Sequence, residues 1–115
     1  HLYTFHPETE TLTQITSGRW DESQPSWSPD GQLIAFVSNR TEDPDANSNS
    51  DIWTVPADNT DKGQILLQLT TYPGSDSSPS WSPDGKYLAT SSRDKTAWVW
   101  DCDEVFEWVW AGESV

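Results

Sequence analysis

A seven-residue segment occurs twice in this chain. Residues 25–31 read Pro-Ser-Trp-Ser-Pro-Asp-Gly, and the same residues return at positions 79–85, an offset of 54. The match extends upstream, because Gln14-Ile15-Thr16 corresponds to Gln68-Leu69-Thr70 at the same offset of 54. A self-similarity of this kind indicates that the chain contains two copies of one supersecondary unit.

The shared segment predicts a hairpin corner. Trp27 ends a short strand, Pro29 fixes φ for a turn, and Asp30-Gly31 supplies the positive φ that reverses the chain. In the second copy the same positions are held by Trp81, Pro83, Asp84 and Gly85. Residues 33–37 and 87–90, which follow the corners, are rich in strand-forming side chains. Each repeat is therefore predicted to open with two paired strands.

A family resemblance rests on these two repeats. Residues 15–40 and 69–94 resemble blades of the TolB β-propeller and of the propeller that precedes the catalytic domain in prolyl oligopeptidase-family serine peptidases. Together the similar residues extend over roughly 12–95. Residues 38–47, which lead to Asp51-Ile52-Trp53, look most like the acylaminoacyl-peptidase and dipeptidyl-peptidase branch. The resemblance implies blades of four antiparallel strands.

A second resemblance concerns residues 88–101, which look like the second and third strands of a WD-repeat blade. It implies that Asp94 and Trp100 belong to a structural hydrogen-bond network, and that Trp100-Asp101 is the dipeptide after which that family is named. The Gly-His pair of the WD family is not visible upstream, which leaves the network incomplete.

These patterns predict an all-β chain, a β-propeller fragment of about two and a half four-stranded antiparallel blades. Residues 1–16 are assigned to the outer half of a blade because Leu2–Phe5 resembles Ile52–Val55, and residues 17–70 and 71–115 are assigned to two further blades. The predicted strands are 1–6, 12–16, 26–28, 33–38, 52–55, 65–69 and 105–110. Propellers close with about four to eight blades. An arc of this size is expected to expose apolar surface at both ends.

Composition limits the partners of such an arc. The formal charge of −13, from 19 acidic and 6 basic residues, opposes binding to a phosphate backbone and excludes nucleic acid as a partner. No apolar run approaches the roughly 20 residues that span a bilayer. The chain is therefore expected to be soluble, with the cytoplasm and the periplasm both open as compartments. Cys102 is single and allows no internal disulfide. With eight Trp and only 33% hydrophobic residues, a few indole rings are expected to form the core.

No cofactor is predicted, and one loop offers a weak metal candidate. Asp43, Asp45, Asn47, Asn49 and Asp51 alternate like the oxygen ligands of a calcium loop. Against this, Ser48 stands where such loops carry Gly, Thr54 stands in place of the bidentate Glu, and no helices are expected beside the loop. A solvated acidic loop is the favoured interpretation. His1 and His6 lack a ligand cluster at zinc spacing.

The sequence also argues against catalysis. The Gly-x-Ser-x-Gly elbow of the peptidase hydrolase domain is absent, and Ser75 after Gly74 is interpreted as a loop serine. Neighbouring carboxylates at Asp21-Glu22, and at positions 101, 103 and 104, are better explained as a solvated acidic face than as an acid and base pair.

Three functional hypotheses follow. The favoured one is a structural and protein-interaction scaffold, whose propeller is completed by copies of the chain or by a longer chain. Its contact candidates are the loop 41–50 and the aromatic stripe of Phe106, Trp108 and Trp110, although packing against a neighbouring blade is the favoured interpretation of that stripe. One alternative is the substrate-gating propeller portion of a prolyl oligopeptidase-like peptidase. The other is an engineered or chimeric propeller subunit, suggested by the change from a TolB-like to a WD-like pattern within one blade.

Overall fold

The fold consists of antiparallel strands. A computed structural model of the chain describes residues 1–58, 62–63, 66–68, 75–92, 96–101 and 107–113. The strands are β1 (Tyr3–His6), β2 (Thr11–Gln14), β3 (Ser23–Trp27), β4 (Leu33–Ser38), β5 (Asp51–Pro56), β6 (Leu67–Gln68), β7 (Asp76–Trp81), β8 (Tyr87–Ser92), β9 (Thr96–Asp101) and β10 (Glu107–Glu113). A single 3-10 turn, Pro44–Ala46, lies between β4 and β5.

The strands form three sheets within the described residues. The first sheet contains β1 and β2, the second has the order β3-β4-β5-β6, and the third has the order β7-β8-β9-β10. Within each sheet, strands that follow one another in the chain are neighbours, and every pairing is antiparallel. Four-stranded antiparallel sheets of this kind are the blades of a propeller. The predicted fold, an all-β propeller fragment of about two and a half blades, is confirmed.

The two repeats have the same backbone geometry. β3 pairs with β4 and β7 pairs with β8 in equivalent registers, and each pairing contains a bulge at the same place. At this bulge Gln24 has a φ of 51° and Ser78 a φ of 57°, each directly before a proline. A bulge of this kind bends the strand and strengthens its twist. The innermost strand of each blade is therefore shaped by the repeat itself, in addition to the corner.

The second sheet lies between two apolar layers, because side chains alternate along its strands. Ile34 and Phe36 contact the first sheet, while Ala35 and Val37 contact the third. The layer between the first and second sheets consists of Leu2, Ile15, Ile34, Phe36 and Val55. The layer between the second and third sheets consists of Ala35, Val37, Ile52 and Leu88.

The expectation that indoles form the core is wrong for Trp20, Trp27, Trp53 and Trp81, the four tryptophans whose burial the structure describes, because none of them is fully buried. Phe36, Ile15, Ile52, Leu88 and Val55 are the largest apolar side chains that are fully buried. Trp53 and Trp81 pack against these layers but are only partly buried. An indole carries an N–H that must reach an acceptor, which favours the edge of a layer over its centre.

Strand limits differ modestly from those predicted. The strand expected at 26–28 occupies Ser23–Trp27, since its pairing with β4 resumes at Ser23 on the far side of the bulge. The third strand of the second sheet, Asp51–Pro56, is longer at both ends than predicted. Of the closing strand expected at 105–110, positions 105 and 106 lie outside the described residues. The division of the chain at residues 16 and 70 stays a prediction. No helix in the described part of the chain is long and apolar enough to cross a membrane.

Candidate interaction site

The first corner is closed by its own side chains. Ser28 Oγ donates to Asp30 Oδ1 over 2.6 Å and accepts the backbone N–H of Leu33 over 3.0 Å. Asp30 Oδ1 also accepts the N–H of Gln32 over 3.0 Å. Gly31, with a φ of 73°, donates its N–H to the Ser28 carbonyl over 2.9 Å. Serine and aspartate thus hold the turn from inside, while glycine supplies the left-handed conformation.

The second corner repeats this geometry closely. Ser82 Oγ donates to Asp84 Oδ1 over 2.6 Å, and Asp84 Oδ1 accepts the N–H of Lys86 over 3.0 Å. Gly85 also has a φ of 73°. The serine hydroxyl, followed by the backbone N–H, lowers the pKa of Asp30 and of Asp84, because both bonds favour the ionised carboxylate.

Two hydrogen bonds join the innermost strands of the second and third sheets. The indole Nε1 of Trp81 donates to the Ser26 carbonyl over 2.9 Å. The backbone N–H of Ser78 donates to the Gln24 side chain over 2.8 Å, so the two bulges contact each other directly. The tryptophan of the repeat therefore attaches its strand to the preceding blade.

The equivalent tryptophan in the first repeat is in a different environment. Trp27 is 53% exposed. It lines a cavity of about 280 Å³ together with His6, Gly31, Gln32, Ala57 and Asp58. A side chain that is an inter-blade contact in one repeat is thus open to solvent in the other.

Apolar surface continues across the first sheet. Tyr3, Phe5 and Leu12 are exposed by 52%, 58% and 65%. Phe5 lies opposite Leu12 across the β1–β2 pair, while Leu2 and Thr4 alternate with them and are buried. The first sheet therefore presents one face to the second sheet and an apolar face to solvent. Large exposed apolar surfaces are typical of interaction sites.

A buried charged cluster fixes the first sheet to the second. The Glu22 carboxylate is fully buried and contacts His1 Nδ1 at 3.1 Å and Arg40 Nη2 at 3.4 Å. It also accepts the hydroxyl of Thr16, which in turn accepts the N–H of Leu2 over 2.8 Å. Burial of the guanidinium lowers the pKa of Arg40, and the Glu22 charge partly offsets that shift. Glu22 is therefore a structural residue in this arrangement.

Aromatic rings complete the environment of this guanidinium. The Cζ of Arg40 lies 5.1 Å from the centre of the Trp20 ring, 5.6 Å from Trp53 and 5.8 Å from Phe36. Cation–π contacts of this length are favourable, and more so where water is excluded. The side chain of Arg40 is 8% exposed. The cluster is thus a polar junction inside an otherwise apolar interface.

The loop 41–50 is organised around one amide side chain. Asn47 Nδ2 donates to Thr41 Oγ1 over 3.1 Å and to the Asp43 carbonyl over 2.9 Å. Asn47 Oδ1 accepts from Asn39 Nδ2 and from the N–H of Asn49, both over 2.9 Å. These bonds occupy both ends of the amide with contacts inside the loop.

The remaining calcium candidates do not converge. Asp43 and Asp45 are exposed, and Asp51 begins β5, where it accepts from Gln68 Nε2 over 3.0 Å. Among the described residues, no group of three or more His, Cys, Asp or Glu is arranged to hold a metal ion. The favoured interpretation, a solvated acidic loop, stays a prediction, with calcium binding as its weaker alternative. Of the paired carboxylates, Asp21 is exposed and the side chain of Glu22 is buried, while positions 103 and 104 lie outside the described residues.

The WD-like residues are described in part. Trp100 pairs through its backbone with Leu88 on one side and Trp108 on the other. Asp101 pairs with Tyr87 and ends β9. Asp94 and Phe106 lie outside the described residues, so the predicted network and aromatic stripe stay predictions.

Comparison with known proteins agrees with this geometry. The family described as "WD domain, G-beta repeat" matches residues 68–101. Tol-Pal system protein TolB of Alcanivorax borkumensis is 32% identical over 84 residues, which cover 72% of this chain and 17% of that protein. The chain carries WD/TolB-like β-propeller repeats. The predicted resemblance is thereby confirmed at this level, while the prolyl oligopeptidase branch stays a prediction.

Other relatives share the repeats at similar identity. The probable cytosolic iron-sulfur protein assembly protein 1 of Candida glabrata is 32% identical over 87 residues, which cover 71% of this chain and 24% of that protein. TolB of Nitratidesulfovibrio vulgaris is 35% identical over 71 residues, covering 59% of this chain and 14% of that protein. The chain thus spans about a quarter or less of the length of these relatives.

Sequence reasoning missed the two features that connect the blades. It treated Trp81 as the end of a strand and did not predict its bond to Ser26. It also assigned Glu22 to a solvated face. One signal was available, because Glu22 and Asp76 occupy the same position of the repeat, and Asp76 is also buried, at 5% exposure. An acidic residue that occurs at the same position in both repeats favours a specific structural environment over a solvated surface.

Proposed function

We propose that this chain is a non-catalytic propeller segment that serves as a structural and protein-interaction scaffold, and that its arc is completed by copies of itself or by further blades of a longer chain. The observation that carries the proposal is the exposed apolar face formed by Tyr3, Phe5 and Leu12 on the first sheet. The corresponding face of the second sheet, which carries Phe36 and Val55, is covered by the first sheet. The face that is exposed on the first sheet thus corresponds to a face that forms an interface on the second sheet.

The charge distribution supports a protein partner. A formal charge of −13 disfavours polyanions. The exposed face of the first sheet is apolar, so its burial removes hydrocarbon from water at roughly 25 cal/mol per Å². Burial of the Glu22 carboxylate against Arg40, His1 and Thr16 supports a structural role for this acidic group.

The proposal is tested by the solution mass of the chain, measured by light scattering on a sizing column across a dilution series. We expect an oligomer of defined mass, and expect the double variant Phe5→Ser, Leu12→Ser to be monomeric because both side chains point away from the core. The matched control is Thr9→Ser with Thr11→Ser, which changes exposed polar residues of the same hairpin. A wild-type monomer that binds no hydrophobic dye at any concentration would refute an interaction role for this face.

A second candidate function is the substrate-gating propeller portion of a prolyl oligopeptidase-like peptidase. It is favoured by the resemblance of residues 38–53 to that branch. The discriminating observation is a hydrolase domain with a Gly-x-Ser-x-Gly elbow, encoded contiguously with these repeats. A coding sequence without such a domain would remove this candidate and leave the scaffold.

A further inference from the structure

Each corner contains an Asp-Gly pair, at Asp30-Gly31 and at Asp84-Gly85. In such a pair the amide nitrogen of the glycine can attack the Cγ atom of the preceding aspartic acid. The new N–Cγ bond closes a succinimide ring, while the carboxyl hydroxyl and the amide proton leave as water. Addition of water to either ring carbonyl then gives aspartate or isoaspartate, in which the main chain runs through Cγ. The reaction needs no oxidant and no cofactor.

Two properties of these pairs favour the reaction in an open chain. Asp30 and Asp84 are exposed, so solvent reaches both carboxyl groups. Glycine has no Cβ atom, so the following residue does not shield its own amide nitrogen from the carboxyl carbon. Composition and exposure therefore make both pairs candidates for spontaneous isomerisation, and the folded geometry decides whether they react.

The folded first corner engages both reacting groups. The attacking amide is that of Gly31, and its N–H donates to the Ser28 carbonyl over 2.9 Å. The carboxyl group is that of Asp30, whose Oδ1 accepts from Ser28 Oγ over 2.6 Å and from the N–H of Gln32 over 3.0 Å. Both donors favour the ionised carboxylate and lower the pKa of Asp30. Ring closure needs the protonated carboxyl group, because a carboxylate has no hydroxyl to release.

The serine of the corner is held in the orientation that this contact requires. Ser28 Oγ accepts the N–H of Leu33 over 3.0 Å, so its own proton is available for the Asp30 carboxylate. The backbone N–H of Ser28 donates to the Leu33 carbonyl over 2.9 Å, which fixes the serine to the start of β4. The hydroxyl is thus positioned by the hairpin and acts on the carboxyl group beside it.

The second corner engages the same groups. Ser82 Oγ accepts the N–H of Tyr87 over 2.9 Å and donates to Asp84. The N–H of Gly85 donates to the Ser82 carbonyl over 2.9 Å. The Ser82 hydroxyl is the largest cause of the lowered pKa of Asp84, and Lys86 adds to it through its backbone N–H and its charge. The chain therefore contains two closely matched copies of one arrangement.

We propose that Asp30 and Asp84 are latent isoaspartate sites, and that Ser28 and Ser82 suppress the reaction as long as the corners are closed. A corner that opens releases the glycine amide from its carbonyl and the carboxylate from its donors. Isoaspartate adds the Cβ atom to the main chain and leaves the carboxylate on Cα, so the acceptor that closes the corner is lost. Isomerisation thus records the opening of each repeat permanently and separately.

The experiment compares the full wild-type chain with Ser28→Ala and Ser82→Ala during ageing at neutral pH. Isoaspartate at residues 30 and 84 is quantified separately by proteolysis and electron-transfer mass spectrometry, with peptides of residues 23–38 and 77–92 as open-chain references. We expect both wild-type corners to isomerise more slowly than these peptides. Each alanine variant should react about fivefold faster at its own corner, because one hydrogen bond is lost. The other corner should keep the wild-type rate.

Each corner is the control for the other, because both lie in one chain. Equal acceleration at both corners of one variant would mean that the substitution loosens the whole fold, and would overturn the role of the serine. Wild-type corners that react as fast as the peptides would overturn the suppression itself. Ser28→Thr keeps the hydroxyl and should stay near the wild-type rate at Asp30. An acceleration equal to that of Ser28→Ala would show that the hydroxyl is not the suppressing group.

Discussion

Replacing Trp81 with Phe should destabilise the fold, whereas the same change at the equivalent Trp27 should not. The Trp81 indole donates to the Ser26 carbonyl over 2.9 Å, while Trp27 is 53% exposed. A bond of this kind contributes about 1 kcal/mol, and leaving a partly buried carbonyl without its donor adds to the loss. We therefore expect Trp81→Phe to lower the free energy of unfolding by about 1–2 kcal/mol. Trp27→Phe should change it by less than about 0.5 kcal/mol, as an exposed substitution does.

The assay is urea denaturation followed by far-ultraviolet circular dichroism, which does not depend on the indole fluorescence that both variants alter. With a slope of about 1–3 kcal/mol per M, the midpoint of Trp81→Phe should fall by roughly 0.5–1 M. The slope itself should stay unchanged. Equal midpoints for the two variants would refute the argument, because both positions have the same local sequence and differ only in whether a preceding blade accepts the indole.

Three further substitutions test the corner and the buried cluster. Gly31→Val should lower the melting temperature, because Gly31 has a φ of 73°. A left-handed conformation costs an L-residue about 1–2 kcal/mol, with more for a β-branched side chain. Unchanged melting and solubility would contradict the assignment of a turn at this position. Asp30→Asn should be less stable than the wild type above pH 3.8, the ordinary pKa of the carboxyl. The Asp30 pKa is lowered in the folded state, so the contribution is lost as the pH falls through that lowered value, and the unfolding curves of the two proteins should converge in acid. Glu22→Gln should lower the free energy of unfolding by about 3–5 kcal/mol, because it leaves Arg40 buried without its counter-charge. The control, Asp21→Asn at an exposed position, should leave the urea midpoint unchanged. Similar midpoints for these two variants would show that the cluster is not coupled to folding.

The architecture could be predicted from sequence because each repeat contains clear turn signals. Asp30-Gly31 and Asp84-Gly85 have few backbone options other than a reversal, and the runs after them alternate toward two apolar layers. The first and last residues of each strand were harder to predict from the sequence. The positive φ of Gln24 before Pro25 depends on the twist that the bulge introduces into a paired strand, and pairing is a tertiary property.

The candidate site could be predicted only in outline. An open first blade follows from counting strands, but Glu22 becomes a buried partner of Arg40 only when the first sheet covers the second. Because the chain has 19 acidic residues, the presence of any one of them says little about whether it is buried. What distinguishes Glu22 is enclosure by His1 and Arg40, which are distant from it in the sequence and adjacent in the fold.

The two repeats place equivalent side chains in different surroundings, and comparing them identifies the surface that is exposed. Trp27 and Trp81 have identical neighbours in sequence, so local propensity cannot explain why the first is exposed and the second is hydrogen-bonded. The difference lies in the presence of a preceding inner strand. Gly31 and Gly85 give the same result independently, since only Gly85 has a corner proline beside it. Both differences follow from the neighbouring sheet: the second sheet presents its corner to the third, whereas the first sheet contains only β1 and β2 among the described residues and presents no such corner to the second.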